Sequence, residues 1–155
     1  MILTAGYEGL TLDTFLARLA AHGVRTLADL REAPISRKRG FSKTALALAL
    51  EQQRIGYRHI RALGCPKPIR DAYRADGDWQ KYTRGFMAHL GQQQPAIAEL
   101  TALVDAQPTA LLCYEADFNR CHRTYVARAV AQPHRQVVHI TAAGLVMDAN
   151  PCPPP

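Results

Sequence analysis

What this chain has least of is the equipment of an exported or membrane protein. No stretch approaches the roughly 18 consecutive apolar residues of a membrane helix. The opening residues, MILTAGYEGL, have no basic region followed by a long apolar core, and Glu8 comes too early for a secretory leader. The expected compartment is therefore a reducing cytoplasm, where Cys65, Cys113, Cys121 and Cys152 are thiols and not disulfides. Aromatic residues make up only 7% of the chain and are not interleaved with bases, which argues against an RNA-binding sheet; no helix-turn-helix signature is present either. There is no internal repeat and no C-x-x-C redox pair. A phosphatase loop would need Arg at the sixth position after Cys, but those positions hold Asn119 after Cys113 and Ala127 after Cys121. The spacing of Cys113, Cys121 and His122 is not that of a zinc knuckle or ribbon.

What is present is one ordinary globular domain. The 155 residues are 48% hydrophobic and 21% charged. A chain of this size buries roughly 68–70% of the surface its unfolded form exposes, so neither disulfide nor metal is needed to fold it. A net charge of +6 favours anionic partners.

The apolar run 2–5 stops at Gly6 and reads as a buried strand. Leu12, Phe15, Leu16, Leu19 and Ala20 then form one helical stripe, capped by Thr11 and ended by Gly23. A second strand runs from Val24 to Leu30, completing a right-handed βαβ unit. Residues 33–41 are read as a long loop, followed by a helix from Ser42 to about Gln53 and a third strand at 56–60. Residues 64–77, with Pro66, Pro68 and Gly77, read as a loop with a short helix. Trp79, Tyr82, Phe86 and Leu90 mark another helix, and Pro95 opens one carrying Ile97, Leu100, Leu103 and Val104. The strand 109–114 leads through a turn into a helix ending near Ala131, and 137–140 is read as the last strand. The expectation is a single α/β domain over 1–148, three-layered, its small and mostly parallel sheet flanked by helices, with a disordered Pro-rich tail at 149–155.

Ligands of an open parallel sheet bind beyond the carboxyl ends of its strands. Asp29 and Arg31, and Cys113 and Glu115, fall at two such ends. Period two puts Cys113 and Glu115 on the same side, with Tyr114 opposite. Asn119 or Asp117 is expected to cap the next helix and to place Cys121 and His122 in its first turn, with Arg123 adjacent. There the helix dipole and cations would lower the Cys121 pKa, making it the most reactive of the four thiols if accessible. Cys113 would react slowly, and Cys152 would behave as an unperturbed thiol near pKa 8.5. Bland readings compete: Cys113 as packing, His122 as an inward core histidine, Arg123 as a solvated residue, Arg31 as ion-paired with Asp29 or Glu115. Cys113, Glu115, Cys121 and His122 could also close on one metal, but no metal or cofactor is assigned. A second constellation, Arg31, Ser36, Arg37, Lys38, Arg39 and Lys43, follows a strand end and suits phosphate or another oxyanion.

Gly6-Tyr7-Glu8-Gly9, Asp29-Leu30-Arg31 with Pro34 and Ser36-Arg37, Leu63-Gly64, Cys113-Tyr114-Glu115, Cys121-His122-Arg123 and Val138-His139-Ile140 together resemble the domain-of-unknown-function 488 (DUF488) family, over about residues 2 to 141. The resemblance implies a single α/β domain of microbial origin and imports no reaction. It also makes Cys65 dispensable, because members often carry glycine there.

The residues favour an enzyme acting on an anionic, phosphate-bearing small molecule or nucleotide. Asp29, Arg31, Ser36, Arg37 and Arg123 would form its binding set, and Cys113, Glu115, Cys121 and His122 its reacting groups. The alternatives are a nucleic-acid-binding module using the basic loop 37–43 and a cysteine-based metal or redox sensor. No membrane partner is expected.

Overall fold

A computed structural model describes residues 1–131, 133 and 135–149. Its strands are β1 (Ile2–Gly6), β2 (Thr26–Asp29), β3 (Gly56–His59), β4 (Thr109–Cys113), β5 (Val137–Thr141) and β6 (Gly144–Met147). The α-helices are α1 (Leu12–Ala21), α2 (Lys43–Gln52), α3 (Lys67–Asp76), α4 (Trp79–Gly91), α5 (Gln94–Ala106) and α6 (His122–Ala131). The six strands form one sheet in the order β3-β2-β4-β1-β5-β6, parallel throughout except for the antiparallel β6.

Period two divides the sheet between two cores. Leu3, Ala5, Leu27, Ala110, Leu112 and Val138 bury one face beneath Phe15, Leu16 and Leu19 of α1 and Leu46 and Leu50 of α2. Ile2, Ala28, Leu111 and Val137 bury the other beneath Phe86, Leu90, Leu100, Val104, Val126 and Val130 of α4, α5 and α6. This is the expected three-layer arrangement. After β1 the chain leaves toward α1 on one face, and after the neighbouring β4 it leaves toward α6 on the opposite face. That divergence opens a crevice at the carboxyl ends of β1 and β4, the usual ligand position in such sheets.

Three sequence-based readings are corrected. Residues 67–76 form a ten-residue helix, not a loop with a short one. Pro66 precedes the helix and Pro68 sits in its first turn, where a missing N–H costs nothing, and Gly77 ends it at φ 67°. The chain also makes one strand more than expected, β6, which hairpins back on β5. Its Leu145, Val146 and Met147 are exposed and do not alternate with polar residues, so period two gave no signal. Thirdly, neither Asn119 nor Asp117 caps α6. The Asp117 side chain accepts from Asn119 N at 2.9 Å and caps a 3₁₀ turn at Phe118–Arg120. Cys121 follows in extended conformation (φ −138°, ψ 136°) and lies just before α6, not within its first turn. The expected tail begins at the boundary of the described residues, and 150–155, with Cys152, lies outside them.

Candidate active site

Glycine is required where β1 meets β4. Gly6 pairs with Cys113, and a Cβ on Gly6 would stand 1.9 Å from the Glu115 carbonyl oxygen. Without a side chain there, Tyr7 N and Glu8 N both donate to Tyr114 O, at 3.1 and 2.9 Å, and hold the turn after β4 against the end of β1. Gly64 allows a similar approach, since its Cβ would lie 2.5 Å from Glu32 N.

Cys113 and Glu115 share the face of β4 on which Leu111 meets α4 and α6, so both point toward the start of α6. Cys113 Sγ donates to Glu115 Oε2 at 2.9 Å, and Cys121 Sγ lies 3.1 Å from the same oxygen. Cys113 Sγ also lies 3.6 Å from His122 Nδ1, and His122 Nε2 lies 3.1 Å from Leu30 O. A carbonyl only accepts, so Nε2 carries a proton and Nδ1 is the nitrogen presented to the sulfur. Phe86 packs edge-on to the imidazole at 5.2 Å.

Burial sets the protonation of this cluster. It pushes the Glu115 carboxyl up to about 7, with the negative charge of Cys121 adding to the effect. Cys113 is also driven above the ordinary thiol range, by burial first and by Cys121 and Glu115 next. For Cys121 burial opposes the charge, but the Cys113 hydrogen bond, the Arg123 guanidinium and His122 outweigh it and hold this thiol below the ordinary range. His122 is raised, because Cys121 and Glu115 overcome the cost of burying the imidazolium. The shifts favour charge on Cys121 and His122 and the neutral thiol on Cys113. Cys65, pushed up to about 11 by burial, remains a thiol.

A cleft of about 470 Å³ opens above this cluster. Cys113, Glu115 and His122 lie among its lining residues, as do Arg31, Ser36 and Arg37. Cys121 is not among them and is 1% exposed, so the thiol with the lowered pKa is not the accessible one. The sequence reading missed the opposite wall, where Arg70, Arg74, Tyr73, Trp79 and Tyr82 also face the cleft. The signal was available: Arg70, Tyr73 and Arg74 recur at helical spacing, but the two prolines made that stretch look like a loop. Arg70 is held by Glu32 at 2.8 Å, and the Arg120 guanidinium lies 5.6 Å from the Trp79 ring centre.

Two residues expected to bind ligand are committed to internal bonds. Asp29 is fully buried and accepts from Arg31 N, Nε and Nη2 and from Tyr57 OH, so it orients Arg31 and does not line the cleft. Arg123 is 1% exposed; it donates to Glu115 O at 2.6 Å, to Ala116 O at 3.5 Å and to Thr4 Oγ1 at 3.4 Å, clamping the turn that carries Glu115. Arg31 also gives Nη1 to Phe41 O and Tyr7 OH, anchoring the 33–41 loop while lining the cleft. The basic loop is not a uniform patch either, because Lys38 Nζ turns inward and donates to Leu10 O at 2.6 Å. As for metals, the ligand atoms of Cys113, Cys121 and His122 lie within 4.8 Å of one another.

Fold and site together define a doubly wound α/β protein with a cysteine, glutamate and histidine cluster at the floor of an arginine-lined crevice. The chain belongs to the DUF488 family, whose model, described as a domain of unknown function, matches residues 11–130. No curated protein and no solved structure matches it. No helix among the described residues is long and apolar enough to cross a membrane.

Proposed function

We propose that this protein is an enzyme acting on an anionic, phosphate-bearing small molecule, with a nucleotide the best fit to the cleft. The observation that carries this reading is the position of Cys113: its sulfur lies at the floor of a crevice lined by five arginines, in contact with a carboxyl group at 2.9 Å and an imidazole at 3.6 Å. Arg37, Arg74 and Arg120 are exposed and can turn to take phosphate oxygens in forked contacts, Arg74 from a long surface pair with Asp71 at 3.6 Å, and the Trp79, Tyr82 and Tyr114 rings offer a wall for a base. Cys113 is the nucleophile. Glu115 takes the thiol proton through the hydrogen bond already made, as the sulfur bonds to the electrophilic centre. The bond to the leaving group breaks with its electron pair, and Glu115 returns the proton to the departing oxygen. Water or a second acceptor then displaces the sulfur. His122 stabilises the thiolate as it forms, and Arg123 holds Glu115 in place through its carbonyl.

The nucleic-acid reading needs Arg37, Lys38 and Arg39 to face outward together, and the inward turn of Lys38 favours the enzyme instead. The test is calorimetry and thermal shift on metal-free protein with inorganic phosphate, pyrophosphate and a set of nucleotides. A cleft ligand at 100 times its Kd stabilises the fold by about 2.7 kcal/mol. Arg74→Ala should weaken binding without changing the stability of the free protein. A flat response to every phosphate compound would overturn the reading.

A further inference from the structure

We infer that Cys113, Cys121, His122 and Glu115 also form a binding site for a soft divalent cation, zinc being the natural occupant, and that the loaded site is closed to the chemistry proposed above. The site stands on geometry alone. Its consequence for reactivity rests on the reading of Cys113 as the nucleophile.

Two thiols, an imidazole nitrogen and a carboxylate oxygen converge from the end of β4, the residue before α6 and the first residue of α6. The three Cys and His ligand atoms lie within 4.8 Å of one another. Zinc bound tetrahedrally, with Zn–S near 2.3 Å and Zn–N near 2.0–2.1 Å, requires an S···N edge of about 3.5 Å. The Cys113 Sγ to His122 Nδ1 distance is 3.6 Å. Glu115 Oε2 touches both sulfurs, at 2.9 and 3.1 Å, and retreats by about half an ångström to complete the tetrahedron.

The surroundings are those of a metal site too. His122 Nε2 is fixed by Leu30 O, which orients the ring and leaves Nδ1 as the ligand, the usual partner arrangement of a metal-bound histidine. Arg123, clamped to Glu115 O, places a buried cation beside a ligand set whose two thiolates and one carboxylate exceed the ion's charge by one. Thiolate with imidazole selects zinc over magnesium or calcium, which prefer all-oxygen sites. Loading expels the protons of the ligands, draws a Cys113 lone pair into the metal bond and leaves Glu115 bound and unable to accept the thiol proton.

The test is a cobalt(II) titration of chelator-stripped protein, followed by displacement with zinc. The expected result is a one-to-one complex with a thiolate-to-cobalt charge-transfer band and the intense visible bands of a tetrahedral ion. Cys121→Ser and Cys113→Ser should each cut the charge-transfer intensity by about half and weaken binding at least as much as the roughly 10–100-fold lost with an outer-shell partner. Using both variants guards against one that fails to fold. Absence of the band from stripped wild type, or full intensity in both folded variants, would overturn the site. Stoichiometric zinc should slow iodoacetamide labelling of Cys113 at least about tenfold, and chelator should restore it; unchanged labelling with zinc bound would overturn the closure. If cobalt binds as expected while no phosphate compound does, the metal site stands and the enzymatic reading falls; if a phosphate compound binds and cobalt does not, the enzymatic reading stands and the metal site falls.

Discussion

Replacing Arg123 by Met tests whether a buried guanidinium builds the site from behind. Arg123 is 1% exposed, and its strongest bond, 2.6 Å to Glu115 O, holds the turn that carries Glu115. A hydrogen bond from a charged donor contributes about 1.5–3 kcal/mol. Met preserves most of the packing volume but leaves Glu115 O and Thr4 Oγ1 without this donor, whereas Ala116 is exposed and its carbonyl can turn to water. The expected loss is about 3 kcal/mol. For a domain of this size that corresponds to about 6–12 °C in Tm. The assay is urea and thermal unfolding at pH 7, with the exposed Arg39→Met as the control expected to stay within about 0.5 kcal/mol of wild type. The same substitution removes a cation that holds the Cys121 thiol down, so its titration, followed by thiolate absorbance in the near ultraviolet, should move to higher pH. Stability within about 1 kcal/mol of wild type, with no change in the thiol titration, would refute the clamp.

Gly6→Ala should destabilise more than any other single methyl addition, because its Cβ would meet the Glu115 carbonyl at 1.9 Å; a urea midpoint equal to wild type would show that the turn has room to move. Lys38→Ala should cost more stability than Arg39→Ala, since only Lys38 bonds back to Leu10 O; equal midpoints would return the whole loop to solvent. Between pH 6.5 and about 4 His139 should take stability away while Glu115, raised by burial, adds it, so the His139 part is read as the difference between wild type and His139→Gln. Burial lowers this histidine to about 4, with Arg123 and Arg128 adding to the effect and Asp148 opposing it, so across that window the unfolded chain binds a proton that the folded one refuses. The His139 loss amounts to about 3 kcal/mol at 1.36 kcal/mol per unit, and His139→Gln should remove that contribution from the profile; a profile in that variant parallel to wild type would remove His139 as the cause.

The fold was legible where periodicity was strong. The β1–α1–β2 unit and the β4 strand stand out because apolar residues recur at the right period and are punctuated by Gly23 and the charged strand ends. The convergence of Asp29, Arg31, Cys113 and Glu115 at one rim followed from parallel strands alone. Direction was only partly legible: the pairing of Arg31 with Asp29 was one of two partners the rim offered, but spacing could not say that Asp29 is wholly committed to it, nor that Arg123 turns inward onto the Glu115 turn. Nor could it separate the two thiols. Cys121 is placed one residue before the helix by a 3₁₀ turn that no periodicity announces, and this buries it behind Cys113. The far wall was hidden by Pro66 and Pro68, which resemble loop residues until Gly77 is recognised as a helix end. The strand β6 escaped because its side chains face solvent at the sheet edge.

The most direct measurement is cysteine mapping by limited iodoacetamide labelling of metal-free protein at pH 8, with and without a saturating phosphate ligand. Cys113 should label ahead of Cys65 and Cys121. Glu115→Gln, which removes the proton acceptor, should slow it about tenfold or more. The bound ligand should protect it to a similar extent, because sulfur and ligand share one cleft. Labelling of Cys121 ahead of Cys113, or a Cys113 rate that neither Glu115→Gln nor the ligand alters, would contradict the assignment of Cys113 as the reacting group.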